Sequence, residues 1–505
     1  MANTVSNIRS YSKENGGRAL VLLLLFFLAI YNFITTGYSA FATIISIPAL
    51  LLVGYIFSKH KMVLFYTLFA VNFFISFITR HYYIPLPTSM MNEMLEILLI
   101  GLALLDVAQY RFRDTLNVML LMLIVWFAFC CIELFNDACG LGIDVYRWYT
   151  GARLMSFQLV YALIVVTIYI NTPSKLIQLL LVWACFIVFA AFWVWKQRNI
   201  GLTNAEKSFI YNSPAHFMGG RIRYMSCFSD AANFGVHLAA AAVSFIVLSI
   251  FLKITRLRIF FISVAMLAIY AFFQSGTRTA MICFIAGLFI FLALSKSKKV
   301  MITAGAAFAV FLYILIFTNI GNGNAQIRRM RTAFDKEDAS MGVRDMNKET
   351  LRKYMVDAPW GVGIGLENAD VPAYNKFKLI TQVPPDSEYV YIWVRTGKVG
   401  LTVFIITTVV MFLGACFIVL FRIRNNSLRG VGIAFTAAFF TIHLGGYANQ
   451  ILMQFPNIVI FYGGLALVYA MPAMEEQWNV WEAEELAKQE ERKRLRLEKK
   501  RASRV

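Results

Sequence analysis

Stretches of about 18–22 mostly apolar residues recur along the whole chain, and a helix of that length crosses about 30 Å of hydrocarbon. The 505 residues are 59% hydrophobic and only 15% charged, whereas about 25% of the residues of a soluble domain are charged. Backbone N–H and C=O groups find no water inside a bilayer, so each stretch that spans one has to be helical. The sequence therefore predicts an all-α integral membrane protein with about fourteen transmembrane helices.

The apolar stretches give the positions of the predicted spans. Arg9, Lys13 and Arg18 precede the first one, which resembles a signal peptide but is longer than the usual apolar region, so we interpret it as an uncleaved anchor. The spans are predicted at 19–36, 38–57, 62–79, 94–108, 115–135, 153–170, 174–195, 233–252, 258–273, 279–294, 300–319, 399–421, 431–448 and 455–473. A large helical loop at 320–398 is expected between the eleventh and the twelfth of these spans.

The distribution of Lys and Arg predicts the orientation. With the N-terminus in the cytoplasm, the short inner segments carry about 17 basic residues and the short outer loops about four, as the positive-inside rule requires. Both termini are then cytoplasmic, and the longer segments 196–232 and 320–398 lie outside. We divide the chain into a polytopic membrane domain, 1–473, and a charged cytoplasmic tail, 474–505, whose i,i+4 pairs of opposite charge predict a helix.

Charge, cysteines and histidines bear on three questions: the class of partner, disulfide pairing and metal binding. The net charge of +19 raises the question of nucleic acid, but in a membrane protein it indicates inner loops beside anionic lipid, so we expect membrane lipids and no nucleic acid as partners. Cys139 and Cys227 fall in predicted outer loops, where they either pair or remain free thiols. No two of the five histidines have metal-ligand spacing, so we predict no metal and no other cofactor.

The candidate site is a set of arginines at the predicted outer face. No Gly-rich nucleotide loop, HExxH, CxxC or GxSxG motif is present. Ionisable residues against a span are functional candidates, and guanidinium forks bind diphosphate oxygens bidentately. Any single arginine there can equally bind a lipid headgroup, so the set carries more weight than its members. These arginines are Arg221, Arg223, Arg278, Arg344, Arg352 and Arg395.

Two further motifs lie in the segment 320–398. Gly361, Gly363 and Gly365 form either a nest of backbone amides that binds an anion or a plain turn. Asp386 and Glu388 stand at the mouth of the twelfth predicted span. A carboxylate there can accept a substrate proton or cap the helix that follows, and the sequence leaves both possibilities open.

The order and spacing of these motifs resemble the O-antigen ligase and polymerase superfamily of bacterial membrane glycosyltransferases, over roughly 215–420. The residues that carry the resemblance are Arg221 and Arg223 through Ala231-Ala232-Asn233 (in place of an Asn-Pro-Asn form), Ser275-Gly276-Thr277-Arg278, Arg344, Ala358-Pro359-Trp360-Gly361-Val362-Gly363, Asp386-Ser387-Glu388-Tyr389-Val390 and Arg395 through Leu401.

The resemblance implies a large periplasmic loop and an enzyme of the bacterial inner membrane. Such an enzyme moves a glycan from undecaprenyl diphosphate to lipid A–core, in a ligase, or to a growing polysaccharide, in a polymerase, without nucleotide or metal. It implies that Arg344, Asp386 and Glu388 act in catalysis, with Asp386 at the position of the family's functional histidine. The same comparison implies that the donor diphosphate binds Arg221, Arg223, Arg278, Arg352 and Arg395.

The alternative from another class is a polytopic transporter or a flippase of lipid-linked glycans, and a third is a non-catalytic membrane scaffold. Transporters usually contain paired repeats and ionisable groups at mid-bilayer. The sequence shows no clear internal repeat, and its charges gather at the outer boundary. This arrangement favours glycan transfer, while ligase and polymerase both remain open.

Overall fold

The computed structural model describes residues 59–84, 88–213, 216–218, 221–320, 323, 328 and 339–502. The predicted spans 19–36 and 38–57 lie outside the described residues. The chain divides into two units, Met1–Tyr66 and Thr67–Val505, and the contacts below are those of the second unit.

Helices make up most of the described chain. They are α1 (Lys61–His81), α2 (Met91–Leu104), α3 (Val118–Ile132), α4 (Val145–Ala152), α5 (Gln158–Tyr169), α6 (Pro173–Asn199), α7 (Asn204–Tyr211), α8 (Ala231–Phe251), α9 (Thr255–Gln274), α10 (Arg278–Leu294), α11 (Lys298–Phe317), α12 (Ala339–Met355), α13 (Lys378–Gln382), α14 (Glu388–Phe417), α15 (Asn426–Ala448) and α16 (Gly463–Ala502). The short strands β1 (Phe217–Met218) and β2 (Arg221–Ile222) pair antiparallel, and they are the exception to the all-α prediction.

Each predicted span that falls in the described part of the chain coincides with a helix, which confirms the membrane fold class. Nine helical segments of that part are long and apolar enough to cross a membrane. The number fourteen stays a prediction, because α2 and α10 are shorter than a full span. The nine segments are Lys61–His81, Val118–Phe135, Val145–Tyr169, Pro173–Asn199, Ala231–Phe251, Thr255–Gln274, Glu388–Arg422, Asn426–Ala448 and Ile458–Lys499.

The centre of the bundle is α8, which packs against α9, α10 and α15. Its four consecutive alanines, 239–242, are completely buried. Small side chains let helix backbones approach closely, and this close approach replaces the hydrophobic driving force that is missing between helices in lipid. All seven cysteines are free thiols, including Cys139 and Cys227, so these two do not pair.

Helix α14 begins at Glu388, well before the predicted start of its span at 399. Gly397 interrupts the helical conformation with a φ of 67°. A Cβ atom at this position would lie 1.9 Å from the carbonyl oxygen of Pro359, so only glycine fits. Lys398 N donates to the same oxygen at 3.0 Å. The large loop therefore packs directly against the kink.

That loop has a small hydrophobic core of its own. Leu351 and Met355 on α12, Phe377 and Ile380 around α13, and Val394 on α14 are buried together. About 25 cal/mol is gained per Å² of buried apolar surface, so this cluster fixes α12 over the start of α14. The polar face of α12 is thereby held at the end of the bundle.

Candidate functional site

The starts of α8 and α14 are joined through the segment 449–457. The Ser229 hydroxyl, just before α8, donates to Gln454 Oε1, and Asn233 Nδ2 donates to the carbonyl of Phe455. On the other side, Leu452 N donates to Glu388 Oε2 at 3.0 Å. Polar residues at the starts of α8 and α14 therefore meet at one end of the bundle, which is the end predicted to face outward.

A hydrogen-bond chain links Arg223 to the turn before α10. Arg223 Nη2 donates to Thr277 Oγ1 at 2.9 Å, and the Thr277 hydroxyl donates to the carbonyl of Ala231 at 3.0 Å. Arg278 is the next residue and the first of α10. The structure thus brings together the Arg223 and Ser-Gly-Thr-Arg motifs, which are far apart in sequence. The backbone of Arg221 lies in β2, and its side chain lies outside the described residues.

Arg198 is a third arginine at this end, which sequence reasoning missed. Its Nη1 atom donates to Gln274 Oε1 at 2.6 Å, at the end of α9. The predicted span stopped at 195, and Arg198 then looked like a residue of the long polar loop. A basic residue one turn beyond an apolar run was the signal that could have identified it.

His216 lies beside these groups and is 4% exposed. Burial lowers its pKa; the nearby Arg223 and Arg80 lower it further, and Asp230 partly opposes them. The imidazole is therefore neutral at neutral pH, when it can accept a proton. Its Nδ1 atom is buried and has no hydrogen-bond partner among the described residues.

The second half of the site is one face of α12. Asn347 Nδ2 donates to Asp386 Oδ2 at 2.9 Å, and Lys348 Nζ lies 5.0 Å from the centre of the Tyr447 ring on α15. Arg344 is half-buried and is separated from them by three and four positions, so it projects from the same face of the helix. Arg352 lies one helical turn beyond Lys348 and extends into solvent: its side chain is 75% exposed and Nη1 is 3.5 Å from Glu349 Oε2.

Asp386 and Glu388 occupy different environments although only Ser387 separates them. Asp386 is half-buried and has a φ of 41°, in the left-handed region that aspartate and asparagine tolerate better than most residues. Neither residue is the N-cap of α14, which is Ser387, and no side-chain capping bond forms. Glu388 is 3% exposed and binds the backbone amide of Leu452. Asp386 thus faces α12, whereas Glu388 holds the segment that joins the two halves of the site.

An apolar cavity of about 290 Å³ lies between α14 and α15. Tyr389, His443 and Tyr447 line one end, and the rest of its wall is almost entirely apolar: Thr408, Val409, Phe412, Phe439, Phe440 and Leu444. Tyr447 belongs both to the wall and to the contact with Lys348. The cavity is therefore an apolar groove within the bundle, and at Tyr447 it meets the cationic face of α12.

Two of the three amides of the glycine motif are already used in backbone hydrogen bonds. Gly361 N donates to the carbonyl of Ala358 at 3.0 Å, and Gly363 N donates to that of Arg395 at 3.1 Å. Of the two possibilities, the structure therefore shows a turn against α14. The Arg395 guanidinium lies 5.3 Å from the centre of the Tyr391 ring. Its Nε and Nη1 atoms are buried, and neither has a hydrogen-bond partner in the described part of the chain.

Comparison with known proteins gives one family match. Residues 263–405 match the family model described as O-Antigen ligase. The matched segment contains Arg278, Arg344, Asp386 and Arg395 but not the Arg221–Arg223 motif. This match confirms the superfamily predicted from the motifs. No curated protein matches the chain.

Proposed function

We propose that the chain is a membrane glycosyltransferase, on the premise that residues 263–405 match the O-Antigen ligase family model. It moves a glycan from undecaprenyl diphosphate to an acceptor saccharide, as an O-antigen ligase or polymerase does. The donor and acceptor chemistry comes from the family, and the assignment of residues to it comes from the site.

The observation that carries the proposal is the apolar cavity that ends under the basic face of α12. A polyprenyl diphosphate has a long apolar chain and a compact, strongly anionic headgroup. Burial of the chain against Phe412 and Phe440 gains about 25 cal/mol per Å². Arg344 and Lys348 then stand where the headgroup leaves the groove, and charge-assisted hydrogen bonds to phosphate are among the stronger kind.

The bond changes follow from the donor. The acceptor hydroxyl oxygen bonds to the anomeric carbon of the donor glycan while the bond from that carbon to the diphosphate oxygen breaks. The bonding electrons leave with undecaprenyl diphosphate, and positioned cations stabilise the developing charge. The hydroxyl proton passes to the Asp386 carboxylate. Asn347 keeps that carboxylate in place with a hydrogen bond of 2.9 Å.

We assign the remaining arginines by position. Arg223 and Arg278 flank Thr277 and form a second cationic centre, for the phosphates or for acidic groups of the glycan. Arg395 faces the same end of the bundle from α14. Arg221 stays a candidate on sequence grounds alone. The exposed Arg352 lies outside the headgroup site, and Glu388 positions the site by holding residue 452.

The expected location is the bacterial inner membrane, with both termini cytoplasmic and the site on the periplasmic side. The asymmetry of Lys and Arg supports this orientation. Cysteine labelling in intact cells should find position 340 and the exposed position 379 accessible and positions 297, 426 and 490 protected. Protection of position 379 would place the proposed site on the wrong side of the membrane.

The direct test is glycan transfer by the purified protein. We expect product from an undecaprenyl diphosphate–linked oligosaccharide and an acceptor saccharide in the presence of excess chelator and without ATP. Arg344→Ala should abolish most of the product, and Arg352→Ala on the same helix is the matched control. An absolute requirement for a divalent cation or a nucleotide would contradict the proposed chemistry.

One observation favours the alternative function, a transporter. Arg153 Nη1 and Glu93 Oε1 are 3.0 Å apart and are buried between α2 and the turn before α5, and Glu96 is completely buried nearby. Ionisable groups inside a membrane bundle often mark ion or substrate pathways. Movement of a lipid-linked glycan across proteoliposomes without any transfer to acceptor would support the transporter and contradict the transferase.

A further inference from the structure

The last turns of α16 and the start of α9 enclose a cavity of about 230 Å³ at the opposite end of the bundle. Four basic side chains line it: Arg256, Arg492, Lys493 and Arg496. Glu485 is the acidic residue of the wall, and its Oε1 atom is already 2.8 Å from Lys488 Nζ. Positive charges therefore converge on this space with little to balance them.

Polar contacts hold α16 in place as far as this cavity. Glu475 Oε1 accepts a hydrogen bond from Arg424 N at 2.7 Å, and Glu482 Oε2 lies 2.9 Å from Lys253 Nζ. Gln489 Oε1 accepts from Thr255 N at 2.9 Å. The three α16 residues are seven positions apart, so they lie on one face of the helix. That face is bound to the loops before α9 and α15.

The basic residues continue the same face beyond Gln489. Arg492, Lys493 and Arg496 follow it by three, four and seven positions, so they project in the direction of the bound face. Arg256 of α9 lines the same cavity, so these three basic side chains lie beside a fourth basic residue. Like charges at such spacing repel one another, and an anion in the cavity converts that repulsion into attraction.

The wall also contains Ile254 and Ile259, which give the cavity an apolar side. A ligand with an anionic group next to a hydrocarbon chain suits both sides of the cavity. We propose that this cavity binds the phosphate of an anionic membrane phospholipid, and that the terminal turns of α16 serve to form the site. This surface faces the cytoplasm in the predicted orientation, where anionic lipids attract basic residues.

The test measures binding of a soluble anionic phospholipid, dioctanoyl phosphatidylglycerol, to the purified full-length chain in a neutral detergent. We compare the wild type with the triple variant Arg256→Gln, Arg492→Gln, Arg496→Gln. Each basic residue near an anionic lipid contributes about 1 kcal/mol, or roughly fivefold in affinity, so the triple variant should bind roughly a hundredfold more weakly. Arg492→Gln alone should cost roughly fivefold and replaces the triple variant if that one does not fold.

The matched control is Arg494→Gln on the same helix. Its side chain is 82% exposed and lies 3.1 Å from Glu498, away from the cavity. The proposal expects wild-type lipid binding by this variant and weak binding of dioctanoyl phosphatidylcholine by the wild type. Equal losses in Arg492→Gln and Arg494→Gln would overturn it, because they would show a diffuse charge effect. Tighter binding of inorganic phosphate or of an RNA oligonucleotide than of the lipid would overturn it as well.

Discussion

Asn347 Nδ2 donates a hydrogen bond of 2.9 Å to Asp386 Oδ2, and this contact joins α12 to the residues just before α14. The donor is one residue from Lys348, which contacts Tyr447 at the end of the apolar cavity. A candidate base, a basic helix face and an apolar groove therefore lie next to one another. The proposed mechanism depends on this meeting.

Asp386→Asn tests the base. Asparagine accepts a positive φ about as well as aspartate, so expression and folding should be unchanged. Loss of a general base typically costs about 10² to 10⁴ in rate, and we expect transfer to fall by that factor. Asp357→Asn is the control, since that carboxylate is exposed in the same loop and 3.7 Å from Lys376. Wild-type turnover by Asp386→Asn would direct the search for a base to His216.

Glu388→Gln should affect stability more than chemistry. The backbone amides of Ile451, Leu452 and Met453 face this carboxylate, whereas a glutamine has one acceptor oxygen for them and turns an N–H₂ group toward the rest. Leaving a buried polar group unsatisfied costs about 1–3 kcal/mol, so the unfolding temperature in detergent should fall. Glu349→Gln, an exposed position on α12, should leave it unchanged. A Glu388→Gln protein of normal stability and no activity would instead indicate a catalytic carboxylate.

Thr277 should act through Arg223. Thr277→Val removes both the acceptor for Arg223 and the donor to Ala231, whereas Thr277→Ser retains them. A hydrogen bond of this kind is worth about 0.5–1.5 kcal/mol, so the valine variant should lose up to roughly tenfold in transfer rate. Arg223→Lys should fail almost as badly as Arg223→Ala, because lysine has no bidentate fork. Equal activity of the valine and serine variants would contradict the role of the hydroxyl.

The sequence could predict these groups but not their pairing. Hydropathy found the apolar helices because the bilayer leaves the backbone no other way to satisfy its polar groups. Hydropathy missed the first part of α14, because Glu388 and Arg395 interrupt the apolar run. It also could not show the kink at Gly397, because that kink depends on a contact with Pro359, which is distant in sequence. The sequence also grouped Asp386 with Glu388, because the two are only two positions apart. Spacing alone cannot show that Asp386 has a left-handed backbone conformation, which directs its carboxylate to α12, while the carboxylate of Glu388 is buried.

The pH dependence of stability should report on Glu206 in the segment 196–232. Burial raises the pKa of this carboxyl, but hydrogen bonds from Thr203 N, Gln197 and Trp193, with Lys196 nearby, outweigh burial and lower it overall. A lowered pKa stabilises the fold above the ordinary carboxyl pKa, and this stabilisation disappears as the pH falls through the lowered value. The difference in unfolding temperature between the wild type and Glu206→Gln should therefore be full at neutral pH and shrink in acid. A difference that does not depend on pH would contradict this account.

The central claim is that the apolar cavity and α12 together bind a lipid diphosphate, and the affinity for undecaprenyl diphosphate tests it most directly. Titration of the purified protein should give a Kd that rises about tenfold to a hundredfold in Arg344→Ala, since a hydrogen bond to a charged group is worth about 1.5–3 kcal/mol. The Kd of Arg352→Ala should equal that of the wild type, because this side chain lies one turn beyond Lys348, is 75% exposed and extends into solvent. Equal Kd values for wild type, Arg344→Ala and Arg352→Ala would contradict the account.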